Sequence, residues 1–498
     1  MTFRAHIGNE ATMSAGSDDS LLLEPGHNCW RTAQASRLSV IVDAEDYFRT
    51  ARAAMLRAEK QIMLIGWDFD ARILLTHDDP PDHPEAPREV GAFITWLVRR
   101  KPELNVHILR WDVGAIASIL RGRTLQTLIK WKLAKRIHLK LDATHPTGAS
   151  HHQKIVVIDD CLAFCGGIDM TLGRWDTRAH ADDDPGRTNP DGERYMPWHD
   201  ATTAIQGPAA AMLGDLCRER WHRAGGHRLD RPKVEHECWP DKLTPDFTDI
   251  RVAVARTQPE LNGEAPVQEI EKLYLDLIGT ARRFIYAESQ YFASHRIAEA
   301  LAKRLAEPDG PEFVIVNPRR ADGWLEQSAM DTARARLFQA LKQRDPHGRL
   351  RIYHPYTAAG EAIYVHAKVL VVDDRFLRIG SSNFNNRSLG LDTECDVALA
   401  AGTPEEAARI AAIRDGLLAE HLGTDSLTVA AAIADKGSLV AAVEGLRGTG
   451  RSLRPYEVPD LSAVEEWLAE NQVLDAGDES PMEAMTKGGL LRRLGRKR

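Results

Sequence analysis

The sequence predicts an α/β fold made of two pseudo-symmetric α/β/α sandwich lobes that together form one bilobal catalytic unit. The first observation is length: the chain has 498 residues, whereas a single hydrophobic core rarely serves more than about 300 residues. The second is a reactive sequence motif that occurs twice. The third is an alternation of helix and strand patterns that runs in the same order through both halves, which is typical of α/β lobes.

The repeated motif is H-x-K-x4-D, and every position of its second copy lies 214 residues after the first. Its members are His152, Lys154 and Asp159 in the first half and His366, Lys368 and Asp373 in the second. A glycine follows each copy at the same offset, Gly166 and Gly380. Because a shared offset at four positions rarely arises by chance, the chain carries one unit twice. This predicts one site assembled from two halves.

The elements around the motif also repeat. In the first half a helical pattern over residues 44–58 is followed by a buried strand within 61–70, and in the second half the corresponding segments are 270–281 and 283–292. Each half then continues with a helix and another strand, 105–112 and 312–318. The apolar runs IVVI and VLVV inside the motif are typical of strands buried on both faces of a sheet.

Four segments follow from these patterns. Residues 1–38, rich in Gly, Ser and Asp, are predicted to be an irregular lead-in; residues 39–245 and 246–425 form the two lobes; residues 426–498 form a helical extension with a basic tail. The lobe junction falls in the stretch 231–262, which has several prolines. The final KGGLLRRLGRKR carries six basic side chains and is predicted to be a solvated end, with binding of anionic lipid headgroups as the alternative.

Composition excludes several classes of protein. The net charge of −8, from 72 acidic against 64 basic side chains, argues against a surface devoted to nucleic acid. The six cysteines have neither disulfide-framework nor zinc-finger spacing. The acidic loop 181–193 lacks calcium-loop spacing and is expected to be a solvated insertion. Without an apolar run of about 18 residues, we expect a cytoplasmic monomer that meets a membrane only at its surface.

The motif has a chemistry that its spacing explains. Residues i and i+2 of an extended chain point the same way, so each histidine shares a face with its lysine. Two imidazoles and two ammonium groups suit a phosphodiester, because the lysines stabilise the negative charge of the transition state. One neutral histidine attacks phosphorus and the other, protonated, gives its proton to the leaving oxygen. The reaction therefore requires no metal and no cofactor.

Each histidine also needs an acceptor for its second ring nitrogen. Asp200 is the expected partner of His152, with Asp169 as the alternative. For His366 the candidates are Glu394 and Asp392. The motif aspartates lie several residues further along the strand and are expected to be structural, as are the glycines after each copy; this structural set is Asp159, Asp373, Gly166, Gly167 and Gly380.

Aromatic side chains fall near the predicted site. Trp67, Trp111 and Trp175 lie at strand ends or loops, where contact with substrate and core packing are equally open. His151 precedes His152 but lacks the H-x-K spacing, so we expect it to line the site or pack.

Three segments resemble the signature regions of the phospholipase D superfamily, and most closely the branch shared by plant, animal and many bacterial phospholipases D. They are HHQKIVVIDDCLAFCGGIDMTLGRWD, PWHDATTAIQGPAA and YVHAKVLVVDDRFLRIGSSNFNNRSLGLDTECDVA. The resemblance covers roughly residues 40–425 and implies a site between lobes and a phosphohistidine intermediate. By the same resemblance His152 corresponds to the nucleophile and His366 to the acid.

Other residues match the family's motifs. Lys154, Lys368 and Asn383 correspond to the phosphate-binding set, while Asp200 in W-H-D and Glu394 in D-T-E correspond to the acidic orienters. Ser381, in the G-S-x-N element, and Asp169 are further expected substrate contacts.

The resemblance implies hydrolysis of a membrane phospholipid to phosphatidic acid and a headgroup alcohol, with transfer to other alcohols as a side activity. The main alternative is a cardiolipin-synthase-like phosphatidyltransferase, although such members commonly carry transmembrane helices. A metal-independent nuclease is less favoured because of the acidic charge. A scaffold with a decayed site is disfavoured by the intact motifs.

Overall fold

The computed structural model describes residues 22–78, 83–112, 130–131, 134–320 and 324–458, without the side chains of residues 324–330. Most of the predicted lead-in and the whole basic tail therefore lie outside the described residues. Within the described part, no helix is both long and apolar enough to cross a bilayer.

The described helices, apart from one π-helical turn at Arg387–Leu391, are α1 Ala44–Arg57, α2 Val90–Arg100, α3 Pro208–Arg223, α4 Glu269–Thr280, α5 His295–Leu305, α6 Trp324–Gln343, α7 Pro404–Leu422, α8 Ser426–Lys436 and α9 Leu439–Leu446. The strands are β1 Arg31–Val42, β2 Gln61–Gly66, β3 Asn105–Trp111, β4 Ile137–Asp142, β5 Ile155–Ile158, β6 Leu162–Gly166, β7 Trp198–His199, β8 Ala201–Gln206, β9 Phe247–Gln258, β10 Val267–Gln268, β11 Phe284–Glu288, β12 Glu312–Val316, β13 Leu350–Tyr356, β14 Tyr364–Val365, β15 Val369–Val372, β16 Phe376–Gly380, β17 Glu394–Ala400 and β18 Ser452–Pro455.

The strand order of the main sheet shows the internal repeat. Its strand order is β18-β13-β12-β11-β15-β16-β17-β9-β1-β8-β6-β5-β2-β3-β4. Read outward from the antiparallel β1–β9 pair, the N-terminal path β1-β8-β6-β5-β2-β3-β4 matches the C-terminal path β9-β17-β16-β15-β11-β12-β13. The prediction of pseudo-symmetric α/β lobes is confirmed. The structure adds that the two sheets join edge to edge into one.

The repeated apolar runs are buried on both faces, as the sequence predicts. In β5, Ile155 and Val157 belong to a core cluster that both halves share, whereas Val156 and Ile158 face the N-terminal outer core beside α1 and α2. In β15 the residues Val369 and Val371 join the shared core, and their neighbours face the C-terminal outer core. Two rigid central strands thus anchor the segments that carry the motif histidines.

The predicted lead-in is wrong over its last part, because β1 begins at Arg31. The segment RTAQASRLSVIV lacks a clear alternation of apolar and polar residues. It is nevertheless a strand, since β8 and β9 supply hydrogen-bonding partners on both of its edges. After α8 and α9 the chain adds β18 antiparallel to β13, so this part of the C-terminal extension packs on the second lobe.

Candidate active site

The two motif histidines face each other across one cavity. His152 and His366 lie in the extended segments just before β5 and β15, and their ring centroids are 6.5 Å apart with an interplanar angle of 65°. Both rings line a cavity of about 310 Å³. The structure therefore brings the two halves of the repeat together at a single site.

Each histidine is held by a carboxylate from the opposite half of the chain. The Nδ1 of His152 lies 3.0 Å from both carboxylate oxygens of Glu394. The Nδ1 of His366 lies 2.6 Å from Oδ2 of Asp200. These contacts leave Nε2 of each ring for chemistry in the cavity.

The predicted partners of the histidines are wrong, and main-chain docking explains why. The N–H of His152 donates to the carbonyl of Thr393 at 2.9 Å, and the N–H of His366 donates to the carbonyl of His199 at 2.8 Å. Each motif segment thus lies beside the residue that precedes the other half's carboxylate. Asp200 consequently orients His366 rather than His152, and Glu394 orients His152 rather than His366.

The two alternative acceptors have other partners. Asp169 lines the cavity and contacts Lys154, with 3.1 Å between Oδ2 and Nζ. Asp392 accepts the N–H of Ser150 at 2.8 Å and pairs with Arg387. Neither carboxylate holds a motif histidine.

The motif lysines lie beneath the histidines. The Nζ of Lys154 donates to the carbonyl of His152 at 2.8 Å, and the Nζ of Lys368 donates to the carbonyl of His366. Both side chains are buried, and the cavity wall is formed by other residues. In this arrangement the ammonium groups act on the cavity mainly through their charge.

Burial and these charges set the ionisation of the site. Burial, followed by the charges of Lys154 and Lys368, holds the pKa of His152 well below its usual value. Burial and then Lys368 lower the pKa of His366 in the same way. Burial also lowers the pKa of Lys368 to about 7. Both imidazoles are therefore neutral near pH 7 in this arrangement.

The two carboxylates have raised pKa values. Burial raises the pKa of Glu394 to about 8 and that of Asp200 to about 6. Hydrogen bonds from Ser381 and Ser388 act in the opposite direction on Glu394. An anion bound in the cavity would favour protonated histidine and so would raise the pKa of His366.

Of the expected substrate contacts, Asn383 lines the cavity and Ser381 does not. The hydroxyl of Ser381 is fully buried and donates to Oε2 of Glu394, while Ser388 donates to Oε1 at 2.7 Å. The expectation that Ser381 contacts substrate is wrong in this arrangement. Its position after β16 turns the side chain toward Glu394, so it orients that carboxylate instead.

The motif aspartates occupy equivalent structural positions. Asp159 accepts the main-chain N–H groups of residues 59, 60 and 61 at 2.6–2.9 Å. Asp373 accepts those of residues 282, 283 and 284 over the same range. Each aspartate therefore ties the end of its motif strand to the loop that leads into β2 or β11.

The glycines after each motif leave room for carboxylates. A Cβ atom on Gly167 would lie 2.1 Å from Oδ1 of Asp200, and one on Gly380 would lie 2.1 Å from Oδ1 of Asp396. A Cβ on Gly166 would meet the main chain of Thr202 at 2.3 Å. Only glycine permits these close approaches.

Arg174 is a cavity residue that sequence reasoning missed. It lines the wall with Trp198, and its guanidinium lies 4.0 Å from the centroid of that indole. Its charge also lowers the pKa of His366. The signal was present, because Arg174 stands in the G-R-W-D segment that ends the first signature region. Gln290 and Tyr291, which follow β11, were missed as well.

The tryptophans divide into two groups. Trp67 and Trp111 are stacked with centroids 6.0 Å apart, and both line the cavity. Trp175 is not part of the wall and packs against His77 at 4.1 Å. His151 is buried beside Asp142 and Thr393, so it packs outside the cavity wall.

Two family models match the chain. One, described as phospholipase D, matches residues 54–300, and the other, described as a cardiolipin synthase, PLD-like domain, matches residues 274–413. Together they span both motifs.

Curated proteins with similar sequences are also described as phospholipases D. The chain is 26% identical over 436 residues to phospholipase D A of Dictyostelium discoideum, an alignment that covers 74% of this chain and 33% of that protein. It is 25% identical over 563 residues to phospholipase D alpha 1 of Zea mays, covering 84% of this chain and 66% of the maize protein. The chain thus spans a third of the first relative and just under two thirds of the second.

A solved structure shares the fold. The phosphatidylserine synthase of Haemophilus influenzae Rd KW20 superposes with a TM-score of 0.53 at 12% sequence identity. The alignment covers 89% of this chain and 94% of that one. The similarity extends over nearly the whole of the bilobal architecture.

Proposed function

The chain belongs to the phospholipase D superfamily, and from this premise we propose that it hydrolyses glycerophospholipids to phosphatidic acid and a headgroup alcohol. The observation that carries the proposal is the composite site. Two neutral histidines from the two halves face one cavity, and each is oriented by the other half's carboxylate.

In the first step Nε2 of His152 attacks phosphorus, and the bond between phosphorus and the headgroup oxygen breaks. His366, protonated when the anionic diester is bound, gives its Nε2 proton to that oxygen. The product is a phosphatidyl-histidine on His152 and a free alcohol. Glu394 accepts a hydrogen bond from Nδ1–H of His152. Its negative charge stabilises the positive ring that forms.

In the second step water attacks phosphorus while His366, now neutral, takes the proton from water. The bond between phosphorus and Nε2 breaks, which releases phosphatidic acid and restores His152. The charges of Lys154, Lys368 and Arg174 stabilise the pentacoordinate transition states of both steps.

The cavity fits a lipid phosphodiester better than a larger polyanion. Its wall combines the cationic side chains of Arg174 and Arg387 with the aromatic rings of Trp67, Trp111 and Trp198. A single phosphate can lie between the histidines while glycerol and acyl carbons contact the indole rings. The net charge of −8 disfavours long nucleic-acid substrates.

A phosphatidyltransferase is the second candidate, and the cardiolipin synthase description of the second matched model favours it. The chemistry is shared, because any hydroxyl that enters can replace water in the second step. The two candidates differ only in the preferred acceptor.

A lipid panel tests the proposal. Purified protein is incubated with vesicles of phosphatidylcholine, phosphatidylethanolamine or phosphatidylglycerol, with and without a primary alcohol. We expect phosphatidic acid from at least one lipid, and a phosphatidyl alcohol when alcohol is present. Product only with an alcohol acceptor would favour the transferase. Absence of any product, or metal-free degradation of single-stranded DNA instead, would refute the proposal.

The pKa values predict a bell-shaped dependence of kcat/KM on pH. Glu394 must be ionised to accept the Nδ1 proton of His152, so activity rises as pH increases through its pKa of about 8. Lys368 must be charged and His366 must be protonated in the first step. Activity therefore falls as pH increases through the pKa of Lys368, about 7, and the lowered pKa of His366 places the maximum on the acidic side of that value. Initial rates with a soluble short-chain phosphatidylcholine check this, and a flat profile from about pH 6 to 9 would contradict it.

A further inference from the structure

A second polar cluster is buried directly behind the site. It consists of Asp43, His180, His199 and Glu420, called here the His2AspGlu cluster. Its four donor atoms lie within 4.8 Å of one another, and the side chains are at most 2% exposed. Three of the residues come from the first half and Glu420 comes from α7 of the second half. The proposed reaction uses none of these side chains directly.

Four separations between donor atoms, from 2.7 to 3.5 Å, lie around the value for a small four-coordinate ion, with each oxygen of Asp43 giving one of them. Nδ1 of His199 lies 2.7 Å from Oε1 of Glu420 and 3.2 Å from Oδ1 of Asp43. Nε2 of His180 lies 3.1 Å from Oε1 of Glu420 and 3.5 Å from Oδ2 of Asp43. A tetrahedral zinc ion with bonds of about 2.0–2.1 Å places its ligands roughly 3.3 Å apart.

Two of these donors lack a hydrogen bond. Within the described residues, Oδ2 of Asp43 and Nδ1 of His199 are buried and make none, although Nδ1 has two carboxylate oxygens close by. The N–H direction of His199 therefore points at neither oxygen. A buried polar atom without a partner is costly. An ion between these atoms would satisfy both.

The outer nitrogens of both histidines bind carboxylates. Nδ1 of His180 lies 2.9 Å from Oδ2 of Asp176, and Nε2 of His199 lies 2.9 Å from Oε2 of Glu288. Metal-binding histidines characteristically donate their second N–H to a carboxylate, which fixes the tautomer and leaves the inner nitrogen as a lone-pair donor. Both histidines of the cluster have this arrangement.

The charges also leave a place for a dication. The cluster and its outer carboxylates bring together four buried acids, Asp43, Asp176, Glu288 and Glu420. Arg187 pairs with Asp176 and Arg178 pairs with Glu420, and the charge of Arg451 also acts on Glu420 and Asp43. One divalent ion would compensate the negative charge that these arginines leave. Without an ion the compensation needs imidazolium, and Nδ1 of His199 would then lack a well-directed acceptor.

We propose that the His2AspGlu cluster binds one divalent transition-metal ion, with zinc as the best match to two imidazole and two carboxylate ligands. Because protein atoms fill all four positions, the ion is structural. It joins the halves through Glu420. It also supports the site, since Oδ1 of Asp43 accepts the N–H of Asp200 at 3.0 Å. Sequence patterns did not indicate this cluster, because its four donors are far apart in the chain.

Metal content tests this without any assay of activity. The full chain is purified without metal chelators in the buffers and analysed by inductively coupled plasma mass spectrometry. We expect about one zinc per chain, a lower melting temperature after chelation, and recovery on adding Zn²⁺ alone. Co²⁺ added to the stripped protein should give the visible absorption of tetrahedral cobalt. No metal in the purified chain, together with no effect of Zn²⁺ or Co²⁺ on the stripped chain, would overturn the proposal.

A matched pair of variants locates the ion. His180→Gln should lose the metal, whereas His347→Gln, at an exposed histidine outside the cluster, should retain it. Wild-type metal content in His180→Gln would place any ion elsewhere and contradict the assignment. If His180→Gln does not fold, removal and reloading of the wild-type chain decides the question alone.

Discussion

Replacing His152 by asparagine is expected to lower kcat by at least about a thousandfold, because the variant has no nucleophile to form the covalent intermediate. The substitution is nearly the same size, and the carboxylate of Glu394 keeps a hydrogen-bond donor. KM should change much less than kcat, since the lysines and Arg174 remain. Single-turnover kinetics with a short-chain phosphatidylcholine measure the loss.

The neighbouring histidine provides the control. His151 lies beside Asp142, with 3.2 Å between Nε2 and Oδ1, and its ring is buried outside the cavity wall. His151→Asn should retain formation of the intermediate and lose no more than about tenfold in kcat. Comparable losses in both variants would show that the effect of His152→Asn is structural.

Each histidine is held by the carboxylate of the other half. Substitutions of Glu394 and of Asp200 are therefore expected to slow different steps of the reaction. Glu394→Gln should slow formation of the intermediate, because His152 would no longer be held with Nε2 unprotonated. Asp200→Asn should slow protonation of the leaving alcohol and the attack of water, which depend on His366. Each loss should be about 10²- to 10⁴-fold, the range for a wrongly held catalytic imidazole.

Leaving groups of different basicity separate these steps. A 4-nitrophenyl ester needs little protonation on departure, so with this substrate Asp200→Asn should form the intermediate at nearly the wild-type rate. Glu394→Gln should remain slow with the same substrate. The reverse pattern would mean that each carboxylate serves the histidine of its own half, contrary to the contacts at 3.0 Å and 2.6 Å.

The sequence predicted the parts of the site that depend on local pattern. The spacing of His152 and Lys154 and the apolar run after them placed a reactive pair at the start of a buried strand. The duplication predicted that a second pair, His366 and Lys368, would meet the first. Both inferences need only strand periodicity and an offset shared by two copies.

The remaining features of the site depend on contacts between residues that are far apart in the sequence, so local patterns did not predict them. Which carboxylate orients which histidine depends on where His152 docks against Thr393, a contact across the two halves. No local pattern encodes that contact. The prediction for Ser381 was wrong for a related reason. Its hydroxyl bonds to Glu394 on the next strand, β17, and so does not face the cavity.

The most direct test of the whole account is to map the covalent intermediate. The His366→Asn variant, in which water is not activated, is mixed with a 4-nitrophenyl phosphatidyl ester, whose leaving group needs little protonation. The mixture is quenched in alkali to preserve phosphohistidine, digested and analysed by mass spectrometry. The account predicts a phosphatidyl adduct on the peptide that contains His152, and its absence from His152→Asn. An adduct on the wild-type peptide that contains His366, or turnover by wild-type protein without any adduct, would contradict it.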